Sequence, residues 1–260
     1  MADRSGTVPF ALAPVVVVVG HYGAGKTNFA LNLALDAAAA GCEVTLADMD
    51  VVNPYFRSSE YAGLLEERGV RLIAPVFGGA GTSLDVPSLT GAVVPAIEAA
   101  YAAAAEHAGA AEGEGPVSSP NPRRIVVIDA GGDDAGATAL ARFAPAIRAG
   151  EAAVLYVVNE RRNLTQTPAE ALEVLAEIQA KCGLAATGVV NNTHLQGETT
   201  LGQVVESVPF AQAVAAAAGL PLVCTTVPMS AIRRETAGSA ALTAIPDGYP
   251  VEVLVAPPWA

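Results

Sequence analysis

The residues with the most specific chemistry form one stretch, Gly20-His21-Tyr22-Gly23-Ala24-Gly25-Lys26-Thr27. It matches the spacing G-x-x-x-x-G-K-[ST] and lies between a run of valines, Val15–Val19, and a stretch that reads as helix over Asn28–Ala40. Strand, glycine loop and helix in that order give the motif a mechanism. Gly23 and Gly25 let the chain bend until successive N–H groups converge on an anion, and the positive end of the helix adds to the field. Gly23, Ala24, Gly25, Lys26, Thr27 and Asn28 are therefore the expected phosphate cradle. Lys26 would reach the β- and γ-phosphates, and the Thr27 hydroxyl would ligate Mg²⁺. Lys26 and Lys181 are the only lysines in the chain, so a lysine in the loop is not incidental.

Carboxylates follow at the ends of two further apolar stretches. Glu43–Ala47 runs into Asp48-Met49-Asp50, and Ile125–Ile128 delivers Asp129. Asp48 and Asp50 can take different places around one phosphate and metal site, one holding the Mg²⁺ water shell and the other orienting the attacking water. Asp129 stands where an apolar strand presents a single carboxylate to a metal. Lys26 and Asp50 are the expected catalytic residues; Thr27, Asp129 and Asp48 are the expected metal set. Gly131-Gly132-Asp133-Asp134 could bring N–H groups to a γ-phosphate and move when it leaves, or the two aspartates could cap a helix.

Asn191-Asn192 comes directly after Val189-Val190. An amide there offers both donor and acceptor to a purine edge, or caps the following turn. Asn159, after Val157-Val158, is a weaker candidate of the same kind. The guanine-reading pattern N-K-x-D is absent, which favours adenine.

The elements that must position these residues alternate. Strands are expected at Val15–Val19, Glu43–Ala47, Val70–Ala74, Arg124–Asp129, Ala153–Val158, Ala186–Asn191, Leu222–Thr226 and Val251–Val255. Helices are expected at Asn28–Ala40, near Ser59–Arg68, Gly91–His107, near Ala135–Ala149, Thr165–Cys182, Gln203–Ala218 with a kink or break at Pro209, and Ala231–Leu242. Pro75–Pro87 reads as a glycine-rich loop and Gly109–Pro122 as a flexible insert. The alternation predicts a single α/β domain over residues 1–260, doubly wound, with a mostly parallel sheet covered by helices on both faces. Ligand is then expected at the carboxyl ends of the strands.

Composition narrows the partners. The chain of 260 residues is 52% hydrophobic and 15% charged, enough apolar content for a substantial core. A net charge of −12, with the arginine pairs Arg123-Arg124, Arg161-Arg162 and Arg233-Arg234 as isolated doublets rather than a cluster, disfavours DNA and anionic membranes. Cys42, Cys182 and Cys224 are widely spaced, which predicts buried thiols in a reducing, cytoplasmic setting. Residues Met1–Pro14 are too short and broken for a signal peptide or membrane span.

Taken together, these motifs resemble the MinD/ParA group of P-loop ATPases, within the CobQ/CobB/MinD/ParA superfamily, from Val15 to about Ala237. The resemblance implies a three-layer, Rossmann-like P-loop fold. It implies that Asp50 is the switch aspartate that positions water and that Asp129 lies near Mg²⁺. Asn191 and Val227-Pro228-Met229 fall where that group holds adenine. The expected cofactors are ATP and Mg²⁺, and the expected activity is ATP hydrolysis that switches a protein partner, with a nucleotide-dependent homodimer as a further expectation. At the position of the group's signature lysine stands His21. Either His21 becomes cationic beside the phosphates, or an arginine such as Arg57 substitutes, or the protein is a slow or monomeric ATPase. Two alternatives come from the same motifs. One is a small-molecule kinase or ATP-dependent ligase resembling dethiobiotin synthetase, with Asn53, Tyr55 and Arg57 beside the acceptor. The other is a nucleotide-holding scaffold with little turnover.

Overall fold

A computed structural model describes residues 8–50, 61–74, 91–111, 122–132, 134–235, 245 and 247–255. The predicted loop with Asn53, Tyr55 and Arg57, the stretch 75–87, most of the insert 109–122, Asp133 and the tail Pro257–Ala260 lie outside the described residues.

The sheet has eight strands: β1 (Val15–Gly20), β2 (Glu43–Asp48), β3 (Val70–Ile73), β4 (Arg124–Asp129), β5 (Ala152–Val158), β6 (Gly188–Asn191), β7 (Leu222–Pro228) and β8 (Gly248–Val251). Their order is β3-β2-β4-β1-β5-β6-β7-β8, and every pairing is parallel. β1 lies inside the sheet, which explains its composition. Val15, Val17 and Val19 pack into the core on one face; Val16 and Val18 pack into the core on the other. All five are at most 2% exposed. A strand buried on both faces must be apolar at every position, and β-branched side chains suit its pleat.

The helices are α1 (Lys26–Ala39), α2 (Ala62–Glu67), α3 (Val93–Ala111), α4 (Asp134–Ala141), α5 (Ala144–Ile147), α6 (Pro168–Cys182), α7 (Leu201–Ala218) and α8 (Met229–Arg234). Residues of α1 and α2 pack with Val16 and Val18, and residues of α3 to α7 pack with Val15, Val17 and Val19, so both faces are covered. The doubly wound α/β fold is as expected, with a sheet parallel throughout.

Several boundaries differ from the sequence reading. The helix expected near Ala135–Ala149 is two, because the chain turns at Arg142-Phe143 and Pro145 sits in the first turn of α5. α6 and α7 each begin with a capping box, Thr167 with Glu170 and Thr200 with Gln203. Pro209 lies inside α7 and does not end it; the carbonyl its missing N–H leaves over belongs to Val205, an exposed residue, where water can serve it. α8 stops at Arg234 rather than running to Leu242, because Glu235 is extended. β8 is Gly248–Val251, not Val251–Val255. Pro250 is accepted there because β8 is an edge strand with one ladder to satisfy.

The segment beyond β8 is held by α1 instead. Asn28 Nδ2 and Asn32 Nδ2 donate to the Glu252 carbonyl at 3.1 and 2.9 Å. Glu252 N donates to Asn32 Oδ1 at 2.8 Å, and Leu254 N and Val255 N donate to Asn28 Oδ1 at 2.8 and 3.2 Å. Tyr249 Oη donates to Asp36 Oδ2 at 2.6 Å. Residues 28, 32 and 36 are one helical face, so a polar ridge on an otherwise apolar helix docks the last strand and the chain beyond it. Asn32→Leu would leave the Glu252 amide without its partner. Urea denaturation should show a loss of about 2–4 kcal/mol, whereas a change below about 0.5 kcal/mol would show the ridge to be dispensable.

Candidate functional site

The sequence motifs converge at the carboxyl ends of β1, β2, β4, β5, β6 and β7. Between β1 and α1 the loop takes the conformation its glycines permit: Gly23 has φ 74° and Gly25 has φ 85°. A side chain at Gly25 would be strained, and its Cβ would also meet Asn192 Nδ2 and His194 Nε2. Lys26 is buried and its Nζ donates back to the His21 carbonyl at 3.1 Å. A cavity of about 300 Å³ opens over the loop, with Gly23, Gly25, Lys26, Thr27 and Asn28 in its wall.

Two carbonyls of the loop are met by side chains that follow neighbouring strands. Arg162, four residues past β5, donates Nε to the Gly23 carbonyl at 2.7 Å. Asn192, next after β6, donates Nδ2 to the Ala24 carbonyl at 2.7 Å, while Thr226 Oγ1 of β7 donates to Asn192 Oδ1 at 2.6 Å. Three strand ends therefore fix the curvature of the loop.

The carboxylates divide into two layers. Asp48 and Asp129 are register partners on adjacent strands and each is 1% exposed. Neither lines the cavity. Asp48 Oδ1 accepts the Asp50 amide at 3.0 Å, so in this structure it orients Asp50, which does line the cavity. Among the described residues no group of three His, Cys, Asp or Glu side chains could hold a metal. Thr27, expected to ligate Mg²⁺, lines the cavity.

Both asparagines bond to protein, and Asn191 caps the turn that follows it, one of the two roles the sequence leaves open. Asn191 is fully buried: its Nδ2 donates to Ser207 Oγ at 2.9 Å and its Oδ1 accepts Thr193 N at 3.2 Å. It secures α7 to β6 and does not line the cavity. Asn192 does, as a tether of the loop. Asn159 is likewise internal, its Oδ1 accepting Arg161 N at 2.9 Å. Asn28 lines the cavity with its side chain bonded to the backbone of residues 252–255. Pro228 lines the cavity with Gln196, Val251, Val253 and Val255, giving it an apolar end away from the loop. Arg57 lies outside the described residues.

Sequence reasoning missed Arg162, His194 and the valine wall. Each had a signal. Arg162 and His194 follow strand ends, the rule that found the other residues, and Val251, Val253 and Val255 alternate as one face of an extended segment. The arginine doublet was weighed only as surface charge.

A larger cavity of about 640 Å³ lies on the other side of the loop. His21, Tyr22, Gly131 and Gly132 form one wall, Ala137 and Leu140 of α4 a second, and Glu173, Val174, Glu177 and Ile178 of α6 a third. Tyr22 and Gly132 line both cavities. Gly132 lies so close to the loop that a Cβ on it would be 2.5 Å from Lys26 Nζ, and Gly136 of α4 rests directly on the Gly131 backbone.

No known family model matches the chain, and no curated protein matches it. Solved structures with a related fold include a signal recognition particle 54 kDa protein from Aeropyrum pernix K1 in complex with GDP, 19% identical with a TM-score of 0.47 over 86% of this chain and 43% of that one. FtsY from Thermotoga maritima is 20% identical with a TM-score of 0.46 over 87% of this chain and 66% of its own. FtsY from Elizabethkingia anophelis in complex with GDP is 20% identical with a TM-score of 0.43 over 80% and 55%. The chain thus spans 43% to 66% of the length of these three structures, and the likeness concerns the fold alone. MinD/ParA proteins are not among these three.

Burial, then the nearby Lys26 charge, lowers the His21 pKa against a smaller opposing effect of Glu177. His21 is therefore neutral at pH 7 in the unliganded protein and supplies no fixed cation. His194 is pushed down to about 4, first by burial and then by Arg162. A folded-state value below the unfolded 6.5 means that the unfolded chain binds more protons between about pH 4 and 6.5. His194 thus contributes stability that is present above pH 6.5 and is lost as the pH falls towards 4. Thermal melts from pH 7 to 4.5 should show a smaller acid-induced fall in Tm for His194→Gln than for the wild type. Equal falls would mean that His194 is not held neutral by the fold.

Proposed function

We propose that this chain is a Mg²⁺-dependent ATP-binding protein that hydrolyses ATP and acts as a nucleotide-dependent switch on a protein partner. The observation that carries this is the loop itself: left-handed Gly23 and Gly25 leading into a helix N-terminus, a buried Lys26, and carbonyls tied to side chains after β5 and β6. Backbone amides of Gly23 to Asn28 would hold the phosphates, with Lys26 on the β- and γ-groups and Thr27 on Mg²⁺. When bound, Mg²⁺ supplies charge neutralisation of the phosphates. Asp50, held by Asp48, orients the attacking water, and Asp129 supports the ion's water shell from beneath. Arg162 brings to the loop the positive charge that His21 does not.

Adenine is the proposed base for a topological reason. Guanine needs an acceptor for its ring N–H and amino group, and Asp50 is the one carboxylate among the described residues of this cavity. It follows β2, on the opposite side of β1 from β6, β7 and the valine wall. The switch reading uses Gly131-Gly132. A γ-phosphate beside Lys26 displaces Gly132, and the Gly131–Gly136 contact passes that shift to α4 and the larger cavity.

A second reading, phosphoryl transfer to a small molecule, is favoured by that larger cavity, which touches the phosphate end through Tyr22 and Gly132. Release of ADP stimulated by metabolites rather than by a protein would select it.

Titration calorimetry with Mg-ADP and Mg-GDP, followed by a phosphate-release assay with Mg-ATP, tests the reading. Lys26→Ala should weaken nucleotide binding by more than about 100-fold. Asp50→Ala should bind normally while phosphate release drops by about 100-fold. Undiminished turnover in Asp50→Ala would remove the role given to Asp50, and tighter GDP than ADP binding would overturn the choice of base.

A further inference from the structure

Leu164 has a left-handed backbone, φ 65°, and its side chain is 62% exposed. A leucine is strained in that region, and one so exposed is not held there by its own packing. What its conformation closes is a tight turn after β5 with Arg162 at its head. The Arg162 amide donates to the Asn159 carbonyl at 3.2 Å, and the Arg162 carbonyl accepts the Thr165 amide at 3.2 Å. Buried Thr165 then donates Oγ1 to the Asn159 carbonyl at 2.9 Å. Both backbone groups of Arg162 are thus fixed, by a turn that keeps strain to fix them.

The side chain is fixed as well. Arg162 Nε donates to the Gly23 carbonyl at 2.7 Å. The guanidinium lies against Gly23, where a Cβ would be 3.1 Å from Nε and 3.2 Å from Cζ. One bond to a neutral carbonyl uses Nε and leaves both Nη groups. Among the described residues Nη1 and Nη2 have no hydrogen bond and no ion pair, and neither is shut off from solvent. The residue lines the smaller cavity together with Gly23, Lys26, Thr27 and Asp50. Its neighbour Arg161 differs: exposed, it pairs with Glu206 at 3.9 Å. A planar fork of N–H donors held beside a phosphate loop, with its charge unmatched by a carboxylate, suits phosphate oxygens.

We infer that Arg162 is a catalytic residue: while Nε holds the loop, its Nη groups donate to β- and γ-phosphate oxygens of bound ATP and stabilise the charge that builds there during hydrolysis. In that reaction the water oxygen bonds to the γ-phosphorus, and the bond from the γ-phosphorus to the β–γ bridging oxygen breaks. Its electron pair stays on ADP, one water hydrogen stays on the phosphate, and the other leaves as a proton. Arg162 exchanges no proton, because a guanidinium keeps its charge throughout. The cation comes from the same chain as Lys26, so one chain carries the whole phosphate set.

This inference rests on the hydrolysis reading above, and kinetics separate the two. Arg162→Gln is the discriminating variant, because its amide nitrogen falls at the position of Nε and can still hold the Gly23 carbonyl, while the Nη groups are gone. Phosphate release from Mg-ATP should drop about 100-fold in Arg162→Gln, with Mg-ADP affinity by calorimetry within about threefold of the wild type. Arg162→Ala should lose turnover at least as far, and millimolar guanidinium chloride should restore part of it. In the wild type, release per chain should not change with protein concentration. Arg162→Gln turnover within about threefold of the wild type would show that Arg162 only tethers the loop, and would leave hydrolysis standing. A loss of Mg-ADP binding as large as the loss of turnover would equally overturn the catalytic role. So would a wild-type rate per chain that rises with protein concentration, which would put the activating cation on a second copy. A wild type that releases no phosphate removes the inference and the hydrolysis reading together. The wild-type measurements stand even if a variant fails to fold.

Discussion

The structure depends on one constraint: when a backbone loop turns its N–H groups inward to meet an anion, its carbonyls face the protein and must be satisfied there. Gly23 and Ala24 present such carbonyls, and Arg162 and Asn192 meet them. Each of these side chains belongs to a different strand end on the same side of β1, so the register of β1, β5 and β6 sets the shape of the loop. A parallel sheet brings all its carboxyl ends to one edge, which is why residues far apart in sequence can serve one loop.

The same logic builds the far end of the cavity. α1 begins at the loop and carries Asn28, Asn32 and Asp36 along one face. These bind the backbone of 252–255 and Tyr249, so the valine wall stands at a fixed distance from the loop, set by the helix that starts there. The cavity is thereby bounded at both ends by the loop and helix that follow β1. Gly131 and Gly132 form a closely packed side, where a Cβ would meet the backbone of Tyr22 or the Lys26 Nζ and Gly136 lies against the Gly131 backbone.

Most of the fold was legible in the sequence, and the reason is local. Five consecutive valines, a complete glycine loop and strand-ending aspartates each declare themselves within a few residues. Where the reading went astray, competing long-range interactions decided. A helix is expected from Ala231 to Leu242, yet Glu235 is extended and residues 236–242 lie outside the described residues. Two adjacent asparagines looked equivalent as base readers, but alternation along β6 turns Asn191 inward to Ser207 and leaves Asn192 at the loop. An arginine doublet looked like surface charge, and one of the pair holds the loop.

By itself the sequence determined the strand–loop–helix unit, the parallel α/β architecture and the list of residue types at the strand ends, because these follow from hydrophobic period, glycine conformation and strand termination. Tertiary structure alone decided which of those side chains face ligand and which are spent holding the site together. A hydrogen-bonding side chain has few partners to give, and whether they go to protein or to ligand depends on neighbours from other strands. Asn28, Asn191 and Asn192 are committed to protein.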